Sequence, residues 1–344
     1  MILEILVFLV FISLLFYIVT YPYNFKLERK LKRVLNFSQI ERVEDTKNKY
    51  FNYSNKELED SFDLEERYLK SKYTIEKMRV LILKPKKMKK NPLCLVLFHG
   101  IRDKAEDWIY KAKLRENYLN LKKSGRVEDI VFILPDSGYK GESWYTNFYK
   151  DKDHQYEEFF SKDLTSFIEK EYPNSKKGIG GFSMGGYGAL KIGLKNLESY
   201  DVIASFSGAV SLIRMSINRR VMRVFRYLYV PRFLFNDVNK AHFVKVFSPW
   251  GYKILKNDPY SIIKVTNPKR YEGKKFYLSV GSEDKKPYLM FQQWLDVVGR
   301  AKKYNLNFKG KIYENEYHTW EYISKDIYNF LVFFTDEINI EKRK

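Results

Sequence analysis

The sequence predicts an α/β protein: a mostly parallel, doubly wound sheet with helices on both faces and a helical cap insertion, preceded by one N-terminal transmembrane helix. Three observations predict it. From Met78 onward, short β-rich runs alternate with amphipathic stretches: LCLVLF (93–98), DIVFIL (129–134), KGIGGF (177–182), YDVIASF (200–206), KFYLSV (275–280) and FKGKIY (308–313). Tyr156, Phe160, Leu164, Phe167 and Ile168 recur at helical spacing, one apolar stripe to lay against a sheet. ILVFLVFISLLFYIV (5–19) is uncharged and almost wholly apolar.

The first element is expected to occupy residues 1–24. With Ile2, Leu3 and the aromatics Tyr21 and Tyr23 the run reaches about 20 residues, enough for a bilayer. No basic segment precedes it and no A-x-A site follows, so an uncleaved anchor is expected rather than a signal peptide. Lys26, Arg29, Lys30, Lys32 and Arg33 follow it, which by the positive-inside rule places the rest of the chain in the cytoplasm. Residues 25–74 are dense in charge and read as a helical stalk, and residues 75–340 as the main domain.

Composition bounds the chemistry. A chain of 344 residues, 45% hydrophobic and 30% charged, is globular and long enough to bury a full core. The single cysteine, Cys94, excludes an internal disulfide framework and a zinc site built on cysteine pairs. The formal charge of +20 favours anionic neighbours but is spread as singlets and short runs such as KPKKMKK (84–90). With no arginine-rich recognition helix and no RNP-type motif, a nucleic-acid partner is not expected.

Gly181-Phe182-Ser183-Met184-Gly185 fits G-x-S-x-G, with an apolar strand before it and the helical GGYGALKIGLKN after it. A tight strand-to-helix turn strains the serine and needs small neighbours, and the helix N-terminus offers amides to an oxyanion. A serine hydroxyl needs a base, and this arrangement orders the partners serine, acid, histidine. His318 lies after the last strand, in EYHTW (316–320). Asp284 follows KFYLSV in GSED (281–284), with Glu283 as its rival. His99-Gly100 ends an earlier strand, which makes the amides of Ile101 and Met184 the expected oxyanion donors. Trp108 and Trp144 are candidate substrate-binding residues.

FHGIRDKAEDW (98–108), LPDSGYKGESWYTN (134–147), GIGGFSMGGYGALKIGL (178–194), SVGSEDK (279–285) and YHTWEYI (317–323) together resemble the esterase D branch of the α/β-hydrolases. That group holds S-formylglutathione hydrolases, feruloyl and acetyl esterases, tributyrin esterases and mycolyltransferases, and the resemblance runs from about Met78 to Phe334. It implies the α/β-hydrolase fold, a triad of Ser183, Asp284 and His318, and no metal or organic cofactor. Residues 211–250 depart from it, with Arg214, Arg219, Arg220, Arg223, Arg226 and Arg232 among aromatics, and are read as a cap lining the pocket. The resulting expectation is a membrane-anchored serine carboxylesterase acting on a small-molecule, lipid or carbohydrate ester, thioesters included. Acyl transfer to a sugar or lipid alcohol, and a non-catalytic tethered module, are the alternatives.

Overall fold

Alternation along the central strands explains why the sheet is covered twice. In Leu93–Phe98, Cys94, Val96 and Phe98 enter one core while Leu93, Leu95 and Leu97 enter the other, as successive side chains of a strand must. The computed structural model describes residues 2–20, 24–44, 51–217, 219–235 and 239–342, with side chains left aside at 15–20, 24–26, 219–220 and 340–342. Its strands are β1 Ile40–Val43, β2 Phe62–Leu69, β3 Met78–Pro85, β4 Leu93–Phe98, β5 Ile130–Pro135, β6 Lys177–Gly181, β7 Val202–Phe206, β8 Lys275–Gly281 and β9 Phe308–Tyr313. Among the described residues they form one sheet in the order β1-β9-β8-β7-β6-β4-β5-β3-β2. The pairings from β1 to β5 are parallel, and β3, antiparallel to both β5 and β2, is the one strand that runs against the rest.

Three helices, Leu164–Glu171, Met184–Lys195 and Met290–Lys303, cover one face. The helices Leu114–Lys123 and Trp320–Lys342 cover the other. The chain reverses its winding between β4 and β6, where strands on either side of the sequence meet; in such sheets the crevice at the carboxyl ends of these strands holds the site.

The charged stretch taken as a stalk belongs to the sheet. β2 pairs with β3 along its whole length and β1 with β9, so residues 40–43 and 62–69 supply both edges. Exposed edge strands carry charge on their open face, which is why FDLEERYL reads as a solvated helix. The helix Asn24–Leu35 buries Val34 and packs Leu27, Leu31 and Leu35 against the same core.

The N-terminal expectation is corrected. The apolar segment is a helix, Ile2–Thr20, but among the described residues no helix is long and apolar enough to cross a membrane. Its described side chains, Ile2 to Leu14, are exposed. Tyr21 and Tyr23 lie outside the described residues. The transmembrane element of the fold, the membrane as partner and the single-pass, cytoplasm-facing location all fall together, because without a span the flanking basic residues set no orientation.

Candidate active site

The elbow explains its own glycines. Ser183 sits at φ 57°, ψ −117°, in a region that non-glycine residues avoid, between β6 and the Met184–Lys195 helix. The turn is held by backbone bonds: Phe182 N–H donates to Phe98 O (3.1 Å), Ser183 N–H to Phe206 O (3.1 Å) and Gly185 N–H to Phe182 O (2.7 Å). A Cβ on Gly185 would run into the Phe98 carbonyl, so only glycine lets the helix approach β4 this closely.

Three loops then converge. His318 follows β9, Asp284 follows β8, and the imidazole bridges them: its Nδ1–H donates to Asp284 Oδ2 at 2.6 Å while Nε2 stands 2.8 Å from Ser183 Oγ. Because a carboxylate only accepts, Asp284 fixes the tautomer that leaves the Nε2 lone pair for the serine proton. Asp284 is 3% exposed, and its own amide and carbonyl are tied to Gly281 and Phe291. Phe182 packs on the imidazole with centroids 4.6 Å apart, and Trp320 packs edge-on against Phe182. Glu283, the rival acid, instead pairs with Lys285 at 3.0 Å.

The oxyanion side is shaped by His99, which is buried and neutral: burial pushes its pKa down. Its Nδ1–H donates to Gly100 O (2.8 Å) and its Nε2 accepts the Ser137 N–H (2.9 Å), which fixes the loop ahead of Ile101. Among the described residues the Ile101 N–H donates to no backbone oxygen. Met184 is the first residue of its helix, where an amide has no partner within the helix. The two amides suit a developing oxyanion.

The two tryptophans part company. Trp108 is wholly buried, edge-on to Trp320 and Phe206, and belongs to the core rather than to a pocket wall. Trp144 is half-buried and stands edge-on to Tyr187 and to Phe247 of the cap helix Lys240–Phe247, where cap and elbow helix meet. Of the cap arginines with described side chains, Arg223, Arg226 and Arg232 are exposed and Arg214 pairs with Asp296, while the side chains of Arg219 and Arg220 lie outside those described. A cavity of about 1020 Å³ lies beyond the acid, between the Asn24–Leu35 helix and the loop 282–289, and neither Ser183 nor His318 lines it.

Sequence reasoning missed two groups. Lys191, on the elbow helix and fully buried, donates to Tyr145 O (2.9 Å), Thr146 Oγ1 (2.6 Å) and Glu157 Oε2 (2.8 Å); Tyr145 OH in turn donates to His99 O (2.9 Å). A lysine inside ALKIGL, with apolar neighbours three and four residues away, was the available signal. Asp103 was also missed. Its Oδ1 lies 3.6 Å from Lys111, and burial raises its pKa against hydrogen bonding from the Trp320 indole.

Fold and site together define a class, the α/β-hydrolases with a Ser–His–Asp hydrogen-bond chain at a nucleophile elbow. Residues 71–331 match the model of the family described as "Putative esterase", and the chain belongs to that family; it is an ester-hydrolysing serine hydrolase. It is 24% identical to an acetyl esterase of Caldicellulosiruptor saccharolyticus over 244 residues, 68% of this chain and 80% of that one. Among solved structures it is similar to an S-formylglutathione hydrolase from Agrobacterium tumefaciens (TM-score 0.64, 16% identity, 81% of this chain and 96% of that one). A ferulic acid esterase is similar at TM-score 0.62 and 18% identity, over 80% of this chain and 99% of that one. At such identities the two structures show the fold alone.

Proposed function

We propose that the chain is a carboxylesterase working through an acyl-enzyme on Ser183. The observation that carries this reading is the continuous chain from Ser183 Oγ through His318 to Asp284, at 2.8 and 2.6 Å. Ser183 Oγ attacks the ester carbonyl as His318 Nε2 takes its proton, and Asp284 stabilises the imidazolium. The amides of Ile101 and Met184 hold the oxyanion, each such donor contributing about 3 kcal/mol to the transition state. The C–O bond to the alcohol breaks as His318 returns the proton to the leaving oxygen, and a water activated by the same nitrogen then releases the acid. A thioester opens by the same steps. The name of the acetyl esterase relative supports a short acyl group, so acetyl esters are the first substrates to try.

Hydrolysis of p-nitrophenyl acetate by the full chain and by Ser183→Ala tests this. The substitution is expected to lower kcat by about 10³-fold or more. Equal rates for the two proteins would overturn the reading.

A further inference from the structure

The loop after β4 brings a second carboxyl to the nucleophile. Gly100 to Asp103 form a tight turn closed by the Asp103 N–H on Gly100 O (3.3 Å). The turn folds the Asp103 side chain back over Gly100. A Cβ built on Gly100 would stand 2.5 Å from Asp103 Oδ2 and 3.5 Å from the Cβ of Ser183. The carboxyl oxygen therefore lies within about 6 Å of the nucleophile's Cβ, two hydrogen-bond lengths. The turn is fixed from outside, since Arg102 N–H donates to Gly141 O (2.9 Å) and the Arg102 guanidinium pairs with Glu142.

The two oxygens of Asp103 face different ways. Oδ1 lies toward Lys111, whose ammonium is shared with Asp107 at 3.0 Å, and Oδ2 lies toward Gly100 and the serine. The indole that hydrogen-bonds this carboxyl belongs to Trp320, two residues beyond His318. Asp103 thus reaches from the oxyanion loop to the segment that follows His318, the residue that returns a proton to the departing alcohol. Lys111 and the Trp320 indole offset part of its charge, and an ionised carboxyl this close to the growing oxyanion still opposes it unless a further group donates to Oδ2. A hydroxyl or ammonium group on the leaving alcohol supplies that donor.

Resting on the serine-esterase reading, we propose that Asp103 Oδ2 is a subsite for the alcohol portion of the substrate, selecting esters of polyhydroxylated or amino alcohols over esters of plain alkanols. No bond changes at Asp103: it accepts a hydrogen bond from the alcohol in the bound state and in the transition state, and lets it go with the alcohol.

The probes are glycerol monoacetate and propyl acetate, which share an acetyl group and a three-carbon alcohol and differ in the donors. For the wild-type enzyme kcat/KM is expected to favour glycerol monoacetate by at least about tenfold, and both Asp103→Asn and Asp103→Ala should shrink that ratio by about tenfold. Damage to the loop alone lowers both esters together and leaves the ratio in place. A wild-type ratio near one, or a ratio that neither substitution changes, overturns the proposal. The two readings fail separately. If wild type but not Ser183→Ala cleaves p-nitrophenyl acetate and the ratio is indifferent to Asp103, only the subsite falls. Equal rates for wild type and Ser183→Ala bring down both.

Discussion

At the scale of single residues, a half-buried carboxyl, Glu157, and a buried one, Asp326, show how neighbours decide the sign of a pH effect. Burial raises the pKa of Glu157, but Lys191 and Lys195 outweigh it and bring the group down to about 2. Its folded pKa is below the unfolded one, so its stabilisation is present above about pH 4.5 and is lost as the pH falls toward 2. Asp326 is buried among hydroxyls, accepting from Tyr277 (2.5 Å), Tyr313 (2.7 Å), Tyr322 (3.2 Å) and Ser279, and there burial prevails and raises its pKa. Its folded pKa is above the unfolded one, so it favours the fold at low pH and costs stability as the pH rises through the folded value. Urea midpoints measured from pH 3 to pH 7 should separate them: Glu157→Gln flattens the acid-side loss, whereas Asp326→Asn gains on wild type as the pH rises. For the reaction itself, Asp284→Asn should leave the fold intact and lower kcat by about 10⁴-fold, read from p-nitrophenyl acetate turnover, because the amide fixes the wrong imidazole tautomer. Ser183 and His318 were legible in the sequence because a pentapeptide between strand and helix, and a histidine after the last strand, are local patterns. Asp103 was not, since the fold-back of its turn onto Gly100 follows from contacts that Arg102 makes across 39 and 40 residues, to Gly141 and Glu142.

At the scale of elements, the site is a set of strand ends clamped from below. The Asp326 cluster joins β8 and β9 to the Trp320–Lys342 helix, and Tyr313 and Tyr322 hold the chain on either side of the His318 loop. On the opposite side Lys191 ties the elbow helix to the 145–146 turn, and Tyr145 stacks flat on Phe98 with centroids 4.2 Å apart. The elbow depends on two backbone segments in near contact, Gly185 and Phe98–His99. Gly185→Ala should therefore destabilise by about 1–3 kcal/mol through overpacking, measured by urea unfolding, and slow fluorophosphonate labelling of Ser183 more than the loss of folded protein explains. An alanine protein as stable and as reactive as wild type would mean that helix and strand can separate at no cost.

At the scale of the molecule, the central strands were legible because buried parallel strands read as continuous apolar runs, and all six runs from 93 to 313 lie in the sheet. The edges were not, because β1 and β2 are little buried and carry charge on both faces, Glu41 beside Arg42 and Glu65 beside Glu66, which hides the period of two. The 5–19 run does form a helix, Ile2–Thr20, but among the described residues no helix is long and apolar enough to cross a membrane. Since β1 caps β9 and the Asn24–Leu35 helix buries Val34, removing residues 1–44 should lower Tm by about 5 °C or more and promote association through the bared β9 edge. Differential scanning calorimetry with light scattering would register both, and an unchanged, monodisperse fragment would show that β1 is ornamental. That pairing also sets a timetable. Val43 meets Tyr313, so the first strand to leave a ribosome waits for the last one, an interval of about 15–50 s at 5–20 residues per second. His318 emerges after that last strand, so the nascent chain carries an inert serine through the 135 residues that separate the two and acquires its base only as the sheet is sealed.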